Sequence, residues 1–139
     1  MRDDSAIIAQ GGAKISLNEI AFGSSVFAGS TEMLQFRTGP RASDVVYSGA
    51  MYSPAEAQEI GLVAEVVAPE VLHDRAREIA GVLASRRPAA FASIKSLLRK
   101  PAADAMASRE AASIDEFVDI WYSEPTWTNL RGIAIRQAE

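Results

Sequence analysis

One carboxylate stands out for its setting. Glu19 ends the run Ile15-Ser16-Leu17-Asn18 and is followed by Ile20, Ala21 and Phe22. A carboxylate among apolar neighbours is partly withdrawn from water, which suits a general base that must take and return a proton. Most glutamates are solvated surface groups, so the local sequence alone makes Glu19 a candidate and no more. The rest of the composition narrows the chemistry. The chain has no cysteine and one histidine, His73, between Leu72 and Asp74. Disulfides, thiolate nucleophiles and thiolate metal sites are therefore excluded. A histidine metal centre or a Ser–His pair would rest on His73 alone, which reads as an exposed helix residue. No metal site is expected.

The elements that must hold such a carboxylate can be read in outline. At 139 residues, 48% of them hydrophobic and 23% charged, the chain fits one globular domain of ordinary size. Its net charge of −4, with no strong basic cluster, makes it a poor nucleic-acid binder. No apolar run approaches the roughly 18 residues of a membrane span. Met1-Arg2-Asp3-Asp4 has no apolar h-region behind it, so no signal peptide is expected and the reading is a soluble, cytoplasmic protein.

Ala6-Ile7-Ile8-Ala9 reads as a buried strand ended by Gln10-Gly11-Gly12, and Lys14 to Leu17 as a second extended piece. Gly23 to Gly29 is small and flexible, a loop. Ser30 or Thr31 is placed to cap a helix running through Arg37, and Gly39-Pro40 opens another that ends at Ser48-Gly49. Ser53-Pro54-Ala55-Glu56 has the residues of a capping box with proline in the first turn. Gly61 stands where a left-handed residue ends that helix, and Leu62 to Val67 is a valine-rich strand.

Beyond Pro69 the pattern is helical. Leu72, Ala76, Ile79, Ala80 and Leu83 share one face. A helix from Pro88 is expected to stop before Pro101, another to carry Ile114, Phe117, Val118 and Trp121, and a last one to run from Thr126 to Gln137 after a break at Glu124-Pro125. The organisation is a mixed α/β part over residues 1–68 and an all-helical part over 69–139.

This order of elements resembles the C-terminal half of the crotonase superfamily, the enoyl-CoA hydratases and isomerases. Within it the chain looks closest to the Δ3,Δ2-enoyl-CoA isomerases. Leu17-Asn18-Glu19 matches a tripeptide of those isomerases that precedes a Gly-containing loop. Pro54-Ala55-Glu56-Ala57, Gly61-Leu62-Val63 and Val66-Val67-Ala68-Pro69-Glu70 match the family's run of helix, strand and helix, and Ser108-Arg109-Glu110-Ala111 follows the isomerase pattern in a late helix. The order and separation of these motifs carry the resemblance more than any one of them. It implies an α-rich α/β fold: residues 1–68 as the remainder of a spiral ββα core carrying Glu19, and residues 69–139 as a helical oligomerisation region. Hydratases have a Pro-Gly-rich loop after their glutamate. Here Phe22 to Ser30 contains no proline, which favours the isomerase.

The resemblance also implies a reaction. Moving a double bond of a fatty acyl-CoA from the 3,4 to the 2,3 position takes a proton from C2 and returns one to C4. Glu19 would shuttle it, with Leu17, Asn18, Phe22 and Phe27 beside the substrate. No cofactor is needed beyond the coenzyme A that the substrate carries. The enolate needs aligned N–H donors. In the family these lie upstream of the matched segment, as does the hydratases' second glutamate, and Gly11-Gly12 is no substitute. Half of the active site is thus expected outside this segment, and the segment by itself is expected to be inactive. Expected partners are an acyl-CoA thioester and either further copies, as trimer or hexamer, or the missing N-terminal half. The other readings are a hydratase fragment and a non-catalytic, crotonase-like oligomerisation module. Arg86, Arg87, Lys95, Arg99 and Lys100 would suit a CoA phosphate, though a solvated helix face is the simpler reading. Trp121, Tyr122 and Trp127 are expected to pack between the last two helices.

Overall fold

A computed structural model describes residues 5–133. Two short strands, β1 (Ile7–Ala9) and β2 (Glu65–Val67), pair in parallel with Ile7 opposite Glu65 and Ala9 opposite Val67. Parallel strands need a crossover. Here it is made by α1 (Ala28–Thr38), a 3-10 turn (Gly39–Arg41), α2 (Ala42–Ser48) and α3 (Pro54–Glu59). A further 3-10 turn, Pro69–Val71, leads into α4 (Leu72–Ala84), followed by α5 (Pro88–Trp121) and α6 (Glu124–Arg131). The result is a helix-rich α/β fold with a small parallel sheet. Ala28, Leu34, Val45, Ala57, Val63 and Val67 form the buried apolar core.

The local signals are realised where short-range chemistry decides them. Ser53 accepts a hydrogen bond from the Glu56 amide while the Glu56 carboxylate accepts one from the Ser53 amide, so α3 starts with a complete capping box. Gly61 takes the left-handed conformation. The strands are shorter than expected: Leu62 to Ala64 curve into place before β2 begins, and Lys14 to Leu17 makes a single antiparallel bridge, Ile15 to Tyr52. β1 is half-buried, because only one of its edges is paired among the described residues.

Three helix expectations are corrected. Neither Ser30 nor Thr31 caps α1. Its N-cap is Phe27, which has no side-chain acceptor, and the Ala28 amide donates to Ser113 Oγ of α5 at 2.9 Å. Pro101 does not end a helix. α5 runs 34 residues through it, a length of about 50 Å. The proline removes the bond to the carbonyl of Leu97, but Leu97 is 75% exposed, so water can solvate that carbonyl. The alanine-rich residues that follow are strong helix formers. Finally, the expected break between the last two helices falls at Tyr122-Ser123, two residues early, and Glu124-Pro125 opens α6, because proline needs no N–H in a first turn. α6 ends at Arg131, and the expected continuation over 134–137 lies outside the described residues, as do Met1 to Asp4.

On α4 only part of the expected stripe is shielded. Leu72, Arg75, Ile79 and Leu83 are half-buried, and Ala76 and Ala80 are exposed. The Arg75 guanidinium donates to Glu65 at the start of β2 and to Glu78, tying α4 to the sheet at a solvent-screened position.

Candidate active site around Glu19

Glu19 opens a single 3-10 turn, Glu19–Phe22, which is fixed from four directions. Upstream, the Ile15–Tyr52 pair makes two backbone bonds of 2.9 Å, and Ser16 Oγ donates to the Ala50 carbonyl at 2.8 Å. Beneath it, Ile20 packs against Gly49, where a Cβ would lie 3.0 Å from the isoleucine side chain. Within it, the Ala21 amide donates to Asn18, and the Ser24 amide to the Glu19 carbonyl at 3.0 Å. Gly23 closes the turn at φ +81°, a region that favours glycine. Downstream, α6 reaches back. Thr126 Oγ1 donates to the Gly23 carbonyl at 2.9 Å and Asn129 Nδ2 to the Phe22 carbonyl at 3.1 Å.

The loop after the turn is lined by one face of α5. The Phe22 ring meets Trp121 edge-on at 5.9 Å, Trp121 stacks on Phe117 at 5.6 Å, and Phe117 meets Phe27 edge-on at 5.9 Å. These edge-on and stacked arrangements are the favoured ones for aromatic pairs. One turn further along, Ser113 takes the first amide of α1 and the Glu110 carboxylate lies over Gly29. The helix dipole makes that first turn a favourable place for negative charge. Arg109 and Glu32 form an ion pair that also joins α5 to α1.

The Glu19 side chain is held in this frame with Oε2 buried and without a hydrogen-bond partner among the described residues. Leaving a buried carboxylate oxygen without a donor costs free energy, so such groups concentrate where they have a use. Leu17 lines an apolar cavity of about 360 Å³ with Ile15, Met33, Leu34, Val45 and Leu62. Asn18 and Phe22 line a different one of about 460 Å³ with Asn129 and Gly132, and Phe27 faces Phe117. The four expected substrate neighbours therefore do not meet in one cavity.

Of the basic residues of α5, Lys95 and Arg99 line one cavity of about 550 Å³ together with Arg37, and Lys100 stands apart from it. Arg99 lies over the Phe36 ring at 4.5 Å, Lys95 over Phe91 at 5.7 Å, and Lys100 pairs with Asp104. His73 is exposed on α4. Among the described residues no group of three or more His, Cys, Asp or Glu side chains is placed to hold a metal ion. No helix there is long and apolar enough to cross a membrane. The aromatic cluster divides: Tyr122 and Trp127 pair at 6.3 Å but both are exposed rather than packed between α5 and α6, whereas Trp121 turns to the Glu19 loop. Thr126 and Asn129 were not singled out from the sequence, and their only signal there is a spacing of one helical turn.

The profile of the Enoyl-CoA hydratase/isomerase family matches residues 3–126. The chain belongs to that family. Among solved structures, it resembles human mitochondrial Δ3-Δ2-enoyl-CoA isomerase with a TM-score of 0.84 and 24% identity, over 93% of this chain and 51% of that one. An enoyl-CoA hydratase/isomerase from Pseudoalteromonas atlantica gives 0.77 at 23% identity, over 97% and 56%. A family protein from Pseudomonas syringae gives 0.70 at 25%, over 81% and 48%. No curated protein matches. The chain spans about half the length of these enoyl-CoA hydratase/isomerase structures.

Proposed function

We propose that this chain supplies the base-carrying half of an enoyl-CoA isomerase site, with Glu19 moving a proton from C2 to C4 of a 3-enoyl-CoA. The observation that carries this reading is the buried, unpartnered Oε2 of Glu19 on a turn fixed from several sides. The carboxylate takes the C2 proton, the C2–H electron pair moves into a dienolate, and the same carboxyl returns the proton to C4. The C3–C4 double bond becomes a C2–C3 one, and nothing else is consumed. A carboxylate with no competing donor on that oxygen is free to turn between two carbons. The dienolate oxygen needs N–H donors, which this reading assigns to the other half of the family fold. The substrate is then an acyl-CoA thioester that brings its own coenzyme A, and the apolar cavity beside Leu17 suits an acyl chain.

The test is conversion of 3-enoyl-CoA to 2-enoyl-CoA by the intact protein. Glu19→Gln keeps the shape and removes the base, and it is expected to lower kcat by about 10²- to 10⁴-fold. A variant that keeps its activity would refute the assignment. If the protein hydrates 2-enoyl-CoA and leaves the 3-enoyl isomer unchanged, the hydratase reading replaces this one. A second reading, self-association through the helical region, is favoured by the exposure of Ile94, Leu97 and Leu98 on α5.

A further inference from the structure

Helix α6 has an unusual relation to the Glu19 turn. It is the last described helix, yet Thr126, at 1% exposure, is among the most buried side chains in the structure. It is also the one fully buried residue outside the stretch from Ser24 to Val67, among those described. Its hydroxyl is spent on the Gly23 carbonyl, 103 residues away in sequence. Asn129, one turn further on, donates to the neighbouring Phe22 carbonyl. These are the carbonyls of the last residue and the C-cap of the turn that Glu19 opens. Short helical turns leave their final carbonyls without internal donors, so the two bonds fill those vacancies from a single helix. Gly23 is packed to match: a Cβ there would lie 3.2 Å from Asn129 Nδ2.

We propose that Thr126 and Asn129 are positioning residues that lock the Glu19 turn and so set where its carboxylate points. The inference rests on Glu19 being the base. A proton shuttle between two carbons tolerates little drift, and a displacement of about 1 Å far from the chemistry can cost about 100-fold in rate. Neither side chain contacts Glu19's carboxylate. They act on the carbonyl end of its turn, while the Ile15–Tyr52 bridge holds the other end. With both ends pinned, the Glu19 side chain is left as the moving part.

The experiment uses the intact protein, with isomerisation kinetics and amide hydrogen exchange. Thr126→Val removes the hydroxyl at nearly constant volume, Thr126→Ser restores it, and Asn129→Asp removes the donor at a more exposed position. Thr126→Val and Asn129→Asp are each expected to lower kcat about tenfold with KM within about twofold. The Gly23 and Ser24 amides should exchange faster, and Thr126→Ser should recover the rate. If Thr126→Val fails to fold, Asn129→Asp decides the question by the same measurements. If Glu19→Gln is inactive but the folded clamp variants keep the parent kcat, the positioning role is wrong. If the Gly23 and Ser24 amides remain as protected as in the parent, the lock itself is wrong. Retained activity in Glu19→Gln would instead remove the base reading, while the exchange data would still report on the lock.

Discussion

A carboxylate becomes useful through what its neighbours withhold as much as through what they give. Glu19 Oε2 receives no hydrogen bond from the described residues, whereas the backbone of its turn is bonded at almost every step. That contrast makes Gly23 a sensitive position. Its φ of +81° penalises any residue with a Cβ by about 1–2 kcal/mol, and that Cβ would press on the Asn129 amide. Gly23→Ala is expected to lower unfolding stability by about that amount and to loosen the turn. Urea denaturation measures the first effect and exchange at the Ser24 amide the second. A variant as stable as the parent would show that the turn relaxes without strain. Glu19 could be picked out as a candidate from the sequence because a carboxylate between apolar residues is a local pattern and Leu17-Asn18-Glu19 carries the family resemblance. The clamp was not, because its partners come together only when α6 folds back over a separation of more than a hundred residues.

At the scale of elements, the same distinction separates what could be read from what could not. The α3 start was legible because Ser53, Pro54 and Glu56 satisfy one another within one turn. Pro101 misled because a proline's cost depends on whether the carbonyl it abandons can reach water, which the sequence does not state. The cap of α1 was misplaced for a similar reason: its acceptor, Ser113, belongs to another helix. The α3 capping box has a pH signature. The Ser53 hydroxyl and then the Ser53 amide hold the Glu56 carboxyl below its ordinary value of 4.5. A carboxylate lowered by folding contributes stability that is present above the unfolded-state value and lost as pH falls through the folded one. Comparing the parent with Glu56→Gln by thermal unfolding should therefore show a difference at neutral pH that closes as the pH drops below the ordinary carboxylate range. A difference that persists unchanged into strong acid would contradict this account. Ser53→Ala, which removes the N-cap acceptor, should cost about 1 kcal/mol across the pH range where the box is formed.

For the molecule as a whole, burial is distributed unevenly. Every fully buried residue described, apart from Thr126, lies between Ser24 and Val67, while α5 extends about 50 Å with large apolar side chains in water. Ile94 is 59% exposed, Leu97 75% and Leu98 62%, and Ile114 and Val118 add to the open faces. Single exposed apolar residues need no explanation, but several along one helix mark a surface that associates. The chain also overlays only about half of each of the solved structures it resembles. Self-association through α5 would cover part of that surface. The intact protein should then run in size-exclusion chromatography with light scattering at a multiple of its protomer mass. Leu97→Glu and Leu98→Glu place charges in a contact that excludes water, which is strongly unfavourable without a partner. Both should shift the mass toward the protomer while leaving the buried core between Ser24 and Val67 intact, as judged by near-parental circular dichroism. A parent protein that stays at protomer mass at micromolar concentration would show that these leucines are covered by other means or tolerated in water.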